Sequence, residues 1–414
     1  MKKMKKKKKN SSGIFHRIFK SKRLIGKYKN ISQKRNEKNK ESEITIQPIK
    51  IRNAWIDLGR IISMYCIIIH HILYHGKGMQ KFSQYKEIAN LIPVLFCHIN
   101  CYLFISGYVG YKSTKYSNLL YLYLCVIFYK IGIVLYFTKF KPHIYQRKIG
   151  RVDFFPFFYN EYWYFSKYFG MYLFLPVINT GLEHISKLKL KAGIIIMIGI
   201  FIVLKDYMIP QYDTFLFSNG YSIIWFLVFY STGAYFGKFK EDKTVLKKII
   251  YSILYIFIFY NSAYLCIHLP SYPINNNKNM KGKIIIFLKS IFVVRISSFT
   301  MILQAISLML FLTNINYNKY IAKVITFIGP LTFGIYLIHD NVIIRGKVMN
   351  HLLDKYPKNL LLNQVYKIIF SKALKIFVIC LSIDYVRNIL FKICQIRRIC
   401  ILVEQLIFKL INLI

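Results

Sequence analysis

From Ala54 onward the chain alternates apolar stretches with short breaks of charge, Asn, Gly or Pro. The stretches run to about 18–25 residues, the length that carries an α-helix across roughly 30 Å of hydrocarbon. The pattern predicts spans at 54–75, 92–111, 118–138, 162–180, 191–209, 219–237, 246–268, 297–314, 321–340 and 365–391. The expected fold is therefore all-α, a polytopic transmembrane helical bundle of about ten spans. Pro142, Pro156, Pro210, Pro270 and Pro273 fall in connections, where a missing N–H costs least, and Pro93, Pro176 and Pro330 fall near predicted helix ends.

Beyond the last span, Ile399, Leu402, Val403, Leu406, Ile407, Leu410 and Ile411 share one helical face, with Glu404, Gln405, Lys409 and Asn412 on the other. That pattern predicts an amphipathic C-terminal segment over 395–414, lying on the membrane rather than crossing it. Residues 1–50 are basic and of low complexity, and are expected to form a disordered tail. Within them Ile14, Phe15, Ile18 and Phe19 have the spacing of a short interfacial helix.

Composition sharpens this picture. The chain has 414 residues, 55% of them hydrophobic, and a mean hydropathy of +0.37. A length-based domain count does not apply to a bundle that absorbs residues 54–391. The formal charge of +44 would suggest nucleic acid in a soluble protein. Here nearly a third of the Lys and Arg precede Asn53 and the rest cluster between spans, so the charge reads as topology and headgroup attraction. The expected partner is the lipid bilayer, with no nucleic acid, and the N-terminus is expected on the cytoplasmic side. No secretory signal follows the basic start, so the first span is expected to act as an uncleaved anchor. The eight cysteines form no C-x-x-C pair and no zinc-like spacing, which reads as buried thiols acting as small hydrophobes.

Chemistry concentrates in the first span. An ionisable residue inside a membrane helix costs about 3 kcal/mol on insertion scales and defaults to a functional hypothesis. Asp57, Arg60, His71 and His75 fall on one helical stripe, with Arg60 and His71 only about 20° apart in azimuth and roughly 16 Å apart in depth. By the same count His70 points well away. The pair could serve two ends of one cleft, a cationic site and a deeper general base. Asp57 and Arg60 at i, i+3 could equally be a plain ion pair. His71 and His75 could offer two metal ligands, but the sequence names no third, and no metal is expected.

Five segments in order resemble the integral-membrane acyltransferase family 3. They are Trp55-Ile-Asp57-Leu-Gly-Arg60 with ten residues before His71 (the family's Arg-x10-His), Asn100 through Ser106-Gly107-Tyr108, Trp163-Tyr-Phe with Tyr172-Leu-Phe-Leu-Pro176, Phe333-Gly334-Ile-Tyr336-Leu-Ile-His339, and Ile383-Asp384-Tyr-Val-Arg387. They extend over about four-fifths of the chain. The resemblance implies an O-acyltransferase moving an acyl group, usually acetyl, from acyl-CoA to a hydroxyl of a glycan or similar acceptor, with no bound cofactor. It implies His71 as base or transient acyl carrier, Arg60 as the group meeting donor phosphate or developing negative charge, and Asp57 orienting Arg60. Asn100, Ser106, Tyr108, Trp163, Tyr336 and His339 are expected around the acceptor pocket. Many members carry an R-x-x-R pair entering the third span. Here only Lys112 and Lys115 stand nearby as donor-binding charges. Other readings stay open: Ser106-Gly107 as close helix packing, Tyr336 and His339 as interfacial anchors, Asp384 and Arg387 as a buried brace. The rival function is a transporter or flippase of a lipid-linked or anionic glycan, which would more often show internal repeats and broken spans in matching halves.

Overall fold

The structure, a computed structural model, describes residues 53–113, 115–159, 161–200, 218–240, 243–268 and 294–413. The basic tail, its interfacial-helix motif and the second half of the 191–209 span lie outside the described residues. Among the described residues there is no strand. The apolar periodicity becomes α1 (Ala54–Tyr74), α2 (His98–Gly110), α3 (Tyr116–Phe140), α4 (Trp163–His184), α5 (Lys187–Gly199), α6 (Ile223–Lys238), α7 (Val245–His268) and α8 (Phe299–Asn314). It continues in α9 (Lys319–Ile328), α10 (Thr332–His339), α11 (Leu362–Ile393) and α12 (Ile396–Ile411). Each predicted span overlaps one of these helices, and the ninth overlaps two. Five stretches, Ala54–Tyr74, Lys86–Gly110, Tyr116–Phe140, Val245–His268 and Lys319–His339, are long and apolar enough to cross a membrane by length and composition.

Two predicted spans are not continuous helices. The second reaches α2 through short turns at Lys86–Ala89 and Ile92–Leu95; Pro93 withholds the donor that would bond Ala89 O, which accounts for the gap between those two turns. The ninth breaks at Gly329–Leu331, a tight turn containing Pro330 that separates α9 from α10. Pro176, expected near a helix end, lies inside α4, which runs on to His184. The missing N–H frees the Tyr172 carbonyl, which helix interiors in a bilayer tolerate where neighbouring groups re-satisfy it; Thr180 Oγ1 donates to a different carbonyl, that of Pro176, at 2.9 Å.

The first helix is the axle of the bundle. It packs against α2, α8, α9, α10 and α11 and buries Met64, Ile68, Ile69, Ile72 and Leu73. The closest pairing is α2 with α6. A Cβ on Gly107 would stand 1.8 Å from Tyr230 O, and one on Gly233 2.0 Å from Phe104 O. Small residues here bring two backbones together, the main source of helix association where lipid removes the hydrophobic drive. Of the two readings of Ser106-Gly107, the packing one describes Gly107. Outward apolar side chains such as Ile253, Phe257 and Tyr260 on α7 are exposed, the surface a lipid-facing helix presents.

Buried charge is paired. Arg387 grips Asp384 through Nε–Oδ1 at 2.9 Å and Nη2–Oδ2 at 2.8 Å, while Tyr129 donates to the same carboxylate at 2.7 Å. A Cβ on Gly334 would lie 1.8 Å from Asp384 Oδ1, so the glycine of the Phe333-Gly334 motif makes room for that carboxylate. Lys130, fully buried, pairs with Glu161 and approaches Asp153, which also binds Arg147. After a left-handed Gln395, α12 turns back along α3. Its Glu404 accepts the Tyr116 N–H that opens α3, and Leu402, Leu406 and Leu410 stay exposed.

Candidate active site

A cavity of about 400 Å³ opens at the C-terminal end of α1, lined there by Met64, Ile67, His70, His71, Tyr74 and His75. Tyr102 of α2, Trp163 and Tyr164 of α4, Tyr336 of α10, and Asp340 and Arg345 beyond it complete the polar part of the wall. The break at Gly329-Pro330 lets α10 run beside α1 and sets its last residue, His339, against His71.

The proton positions in this wall follow from its acceptors. His339 Nδ1 lies 2.7 Å from Ile335 O, and a carbonyl can only accept, so His339 carries its proton on Nδ1. The neutral ring then offers Nε2 as an acceptor to His71 Nδ1, 3.1 Å away. His71 is thereby fixed with its proton on Nδ1, leaving Nε2 as its basic atom. Asp340 Oδ1 stands 3.6 Å from the same Nδ1 and is held in turn by Arg345 at 3.2 Å. A candidate base and a carboxylate that can balance an imidazolium line the cavity, with a backbone-anchored orienting ring set against the candidate base. That is the constellation general-base catalysis needs.

Asp340 is also the third metal-type ligand that sequence spacing could not name: His71, His75 and Asp340 offer atoms within 4.8 Å of one another. Arg345 already places a cation on that carboxylate, and a dication would be repelled by it. The arrangement reads as an acid–base cluster.

The expected stripe is split by the structure. His71 and His75 line the cavity, but so does His70, whose ring stacks on Tyr74 and meets Phe96 edge-on. A cavity wider than one helical face takes in both azimuths, which corrects the expectation that His70 points away. Asp57 is fully buried against Gly329, where a Cβ would sit 2.4 Å from its Oδ1. It holds Arg60 Nη1 at 2.8 Å. Arg60 is not among the lining residues. It stands behind the wall, within electrostatic reach of the lining Tyr102 and Tyr164, and Tyr102 Oη donates to its backbone carbonyl.

Of the other expected pocket residues, Trp163 and Tyr336 line the cavity and His339 sits against His71. Asn100 is instead a buried tie, donating to Ile296 O at 2.8 Å and accepting from Trp225 Nε1 at 3.1 Å. Ser106 meets Tyr168. Lys112 and Lys115 are exposed and line none of the three main cavities.

Tyr108 lines a second cavity of about 540 Å³ at the opposite end of α1, beside Trp55. Its wall carries Lys187, Lys240, Lys243 and Lys248 among Tyr and Phe rings, and none of its described lining residues is acidic. Lys240 Nζ lies 4.6 Å from the Tyr108 ring centre, and Lys243 Nζ 5.0 Å from that of Tyr251. Trp55 and His71 are sixteen residues apart on one helix, so the cavities are separated along its axis by roughly 24 Å.

The model of the family described as "Acyltransferase domain", acyltransferase family 3, matches residues 53–370. That is most of the chain, from the start of α1 into α11. The chain belongs to acyltransferase family 3. No curated protein and no solved structure matches it. Membership together with the membrane-length helices makes the protein a membrane acyltransferase, and it decides between enzyme and transporter in favour of the enzyme. The family's Arg-x10-His helix is α1, and its aromatic G-I-Y-L-I-H helix is α10. Sequence reasoning passed over Asp340 and Arg345, although Asp340 directly follows the His339 motif. It also passed over the lysine-lined cavity, whose residues come from five separated stretches and carry no local signature.

Proposed function

We propose that this acyltransferase moves an acyl group, acetyl in the first instance, from acyl-CoA to a hydroxyl of a glycan or similar acceptor. The observation that carries the reading is the hydrogen-bonded pair His71–His339 in the cavity wall. The acceptor hydroxyl would occupy the aromatic cavity, where Trp163, Tyr164 and Tyr336 offer sugar-stacking faces and hydroxyls. His71 Nε2 takes the hydroxyl proton as the oxygen attacks the thioester carbonyl. The new C–O bond forms, the C–S bond breaks, and the imidazolium returns its proton to the departing thiolate. Asp340 offsets the imidazolium charge during the step.

With the N-terminus in the cytoplasm, the lysine-lined cavity faces the side where acyl-CoA is made. Its four ammonium groups suit the donor's phosphates and its rings suit the adenine. The donor's long flexible arm would then run along α1, past Arg60, toward His71. This assigns donor binding to Lys187, Lys240, Lys243 and Lys248 in place of Lys112 and Lys115, and leaves Arg60, braced by Asp57 and set behind the cavity wall, to meet donor phosphate rather than the developing oxyanion.

The test compares acyl-ester content of surface glycans between wild type and His71→Ala at matched expression. Ester loss in the variant is expected, and unchanged esters would remove His71 as the base. Purified wild type that leaves labelled acetyl-CoA unconsumed across a broad acceptor panel would sink the donor assignment.

A further inference from the structure

Away from both cavities, the start of α2 and the middle of α1 bring thiols and an imidazole together inside the bundle. Cys97 Sγ, a ring nitrogen of His98 and Cys101 Sγ all lie within 4.8 Å of one another. Cys97 and Cys101 are fully buried and His98 is 2% exposed. The thiol of Cys66, on α1, lies beside the same imidazole. We propose that these four residues form a structural zinc site that ties α1 to α2.

Three sulfurs and one imidazole nitrogen are one of the recurring ligand sets of closed, structural zinc centres. The helical spacing supports the convergence. Cys97 and Cys101 are four residues apart and His98 and Cys101 three, so each pair shares a face of α2. On α1, Ser63 and Cys66 are three apart and face that cluster. Ser63 Oγ lies 3.3 Å from His98 Nδ1, the outer-shell hydrogen bond that typically fixes the ring of a metal-bound histidine with its other nitrogen toward the ion. Without an ion the polar complement is thin. Thiols are weak partners for an imidazole, and the Cys97 thiol meets only another thiol, Cys101, and Val94 O at 3.5 Å.

Cys66, Cys97 and Cys101 each release a proton to solvent on binding, and His98 binds as the neutral ring. Three thiolates against one dication leave the centre one unit negative, a smaller burden than a bare dication in a medium that penalises net charge. Bond lengths of about 2.3 Å to sulfur and 2.0–2.1 Å to nitrogen put ligand atoms roughly 3.5–3.8 Å apart. The spacing of Cys97, His98 and Cys101 therefore needs to close by no more than about 1 Å, within side-chain rotation, while Cys66, outside that 4.8 Å group, would swing farther to reach the ion. Cys66 stands five residues before His71, so the site would pin the rotation of α1 on which the aim of His71 depends.

The test uses full-length protein purified in detergent without a polyhistidine tag, from cells supplied with zinc, and reads metal by mass spectrometry. The wild type is expected to hold about one zinc per chain, with X-ray absorption showing sulfur scattering near ~2.3 Å. Cys97→Ser with Cys101→Ser should lose the metal, and Cys394→Ser, at an exposed thiol, should keep it. Should the double variant fail to fold, the absorption spectrum of the wild type still decides. Less than about a tenth of a zinc per wild-type chain, or scattering from nitrogen and oxygen alone, overturns the site. The readout is metal content, so failure here leaves the acyl-transfer reading untouched.

Discussion

His339→Ala removes one imidazole and nothing that the acyl donor or acceptor need touch, which makes it a sharp probe of the site. His71 Nδ1 then loses the acceptor at 3.1 Å that fixes its tautomer. Two effects follow. A fraction of His71 places its proton on Nε2 and cannot act as a base, a loss of a few-fold at most. The imidazolium formed during reaction also loses a hydrogen bond to a charged group, worth about 1.5–3 kcal/mol. At ~1.4 kcal/mol per tenfold, that is roughly a 10- to 100-fold fall in kcat. Removing the base itself with His71→Ala should cost about 10²–10⁴. Since both act on one proton, the double variant should be no slower than His71→Ala alone. The assay is thiol release from acetyl-CoA by purified protein with an acceptor that turns over, with KM for the donor followed in parallel. A His339→Ala enzyme within twofold of wild type in kcat would refute the relay. So would a double variant whose losses multiply.

Other expectations follow from particular contacts. Lys240→Gln with Lys248→Gln should raise the donor's KM several-fold with kcat little changed, and flatten its salt dependence; Lys112→Gln with Lys115→Gln should leave both constants near wild type. Gly107→Ala drives a Cβ onto Tyr230 O and should lower the detergent melting temperature, at about 1–3 kcal/mol or more for overpacking. Arg387→Leu strands the Asp384 carboxylate, fully buried beside Gly334 and Tyr129. A loss of about 3–5 kcal/mol, read as failure to accumulate monodisperse protein, is expected. His70→Ala should keep more activity than His71→Ala, since His70 lines the cavity while His71 alone makes the bond to His339; the reverse ranking in the same thiol-release assay would move the base to His70.

The sequence by itself determined what local periodicity and single-helix geometry can carry. Apolar runs marked each helix, because a bilayer forces backbone hydrogen bonds to close within a segment. Arg60 and His71 were legible as chemistry because charge inside such a run is costly. The helix α12 was legible for the same periodic reason, since its apolar residues recur at helical spacing. Tertiary structure decided everything that needed two helices. The partner of His71 lies 268 residues away, and no spacing rule encodes which turn of α10 faces which turn of α1. That was settled by the break at Gly329-Pro330 and by Asp57 filling the space a side chain would take at Gly329. Azimuth on an isolated helix placed Arg60 and His71 on one line, yet in the packed bundle His71 lines the cavity and Arg60 does not. The thiol cluster of Cys66, Cys97, His98 and Cys101 needed the approach of α1 to α2 before it existed at all. A pairwise contact is a property of the packed bundle, since side chains distant in sequence acquire a distance only when the backbones that carry them are fixed.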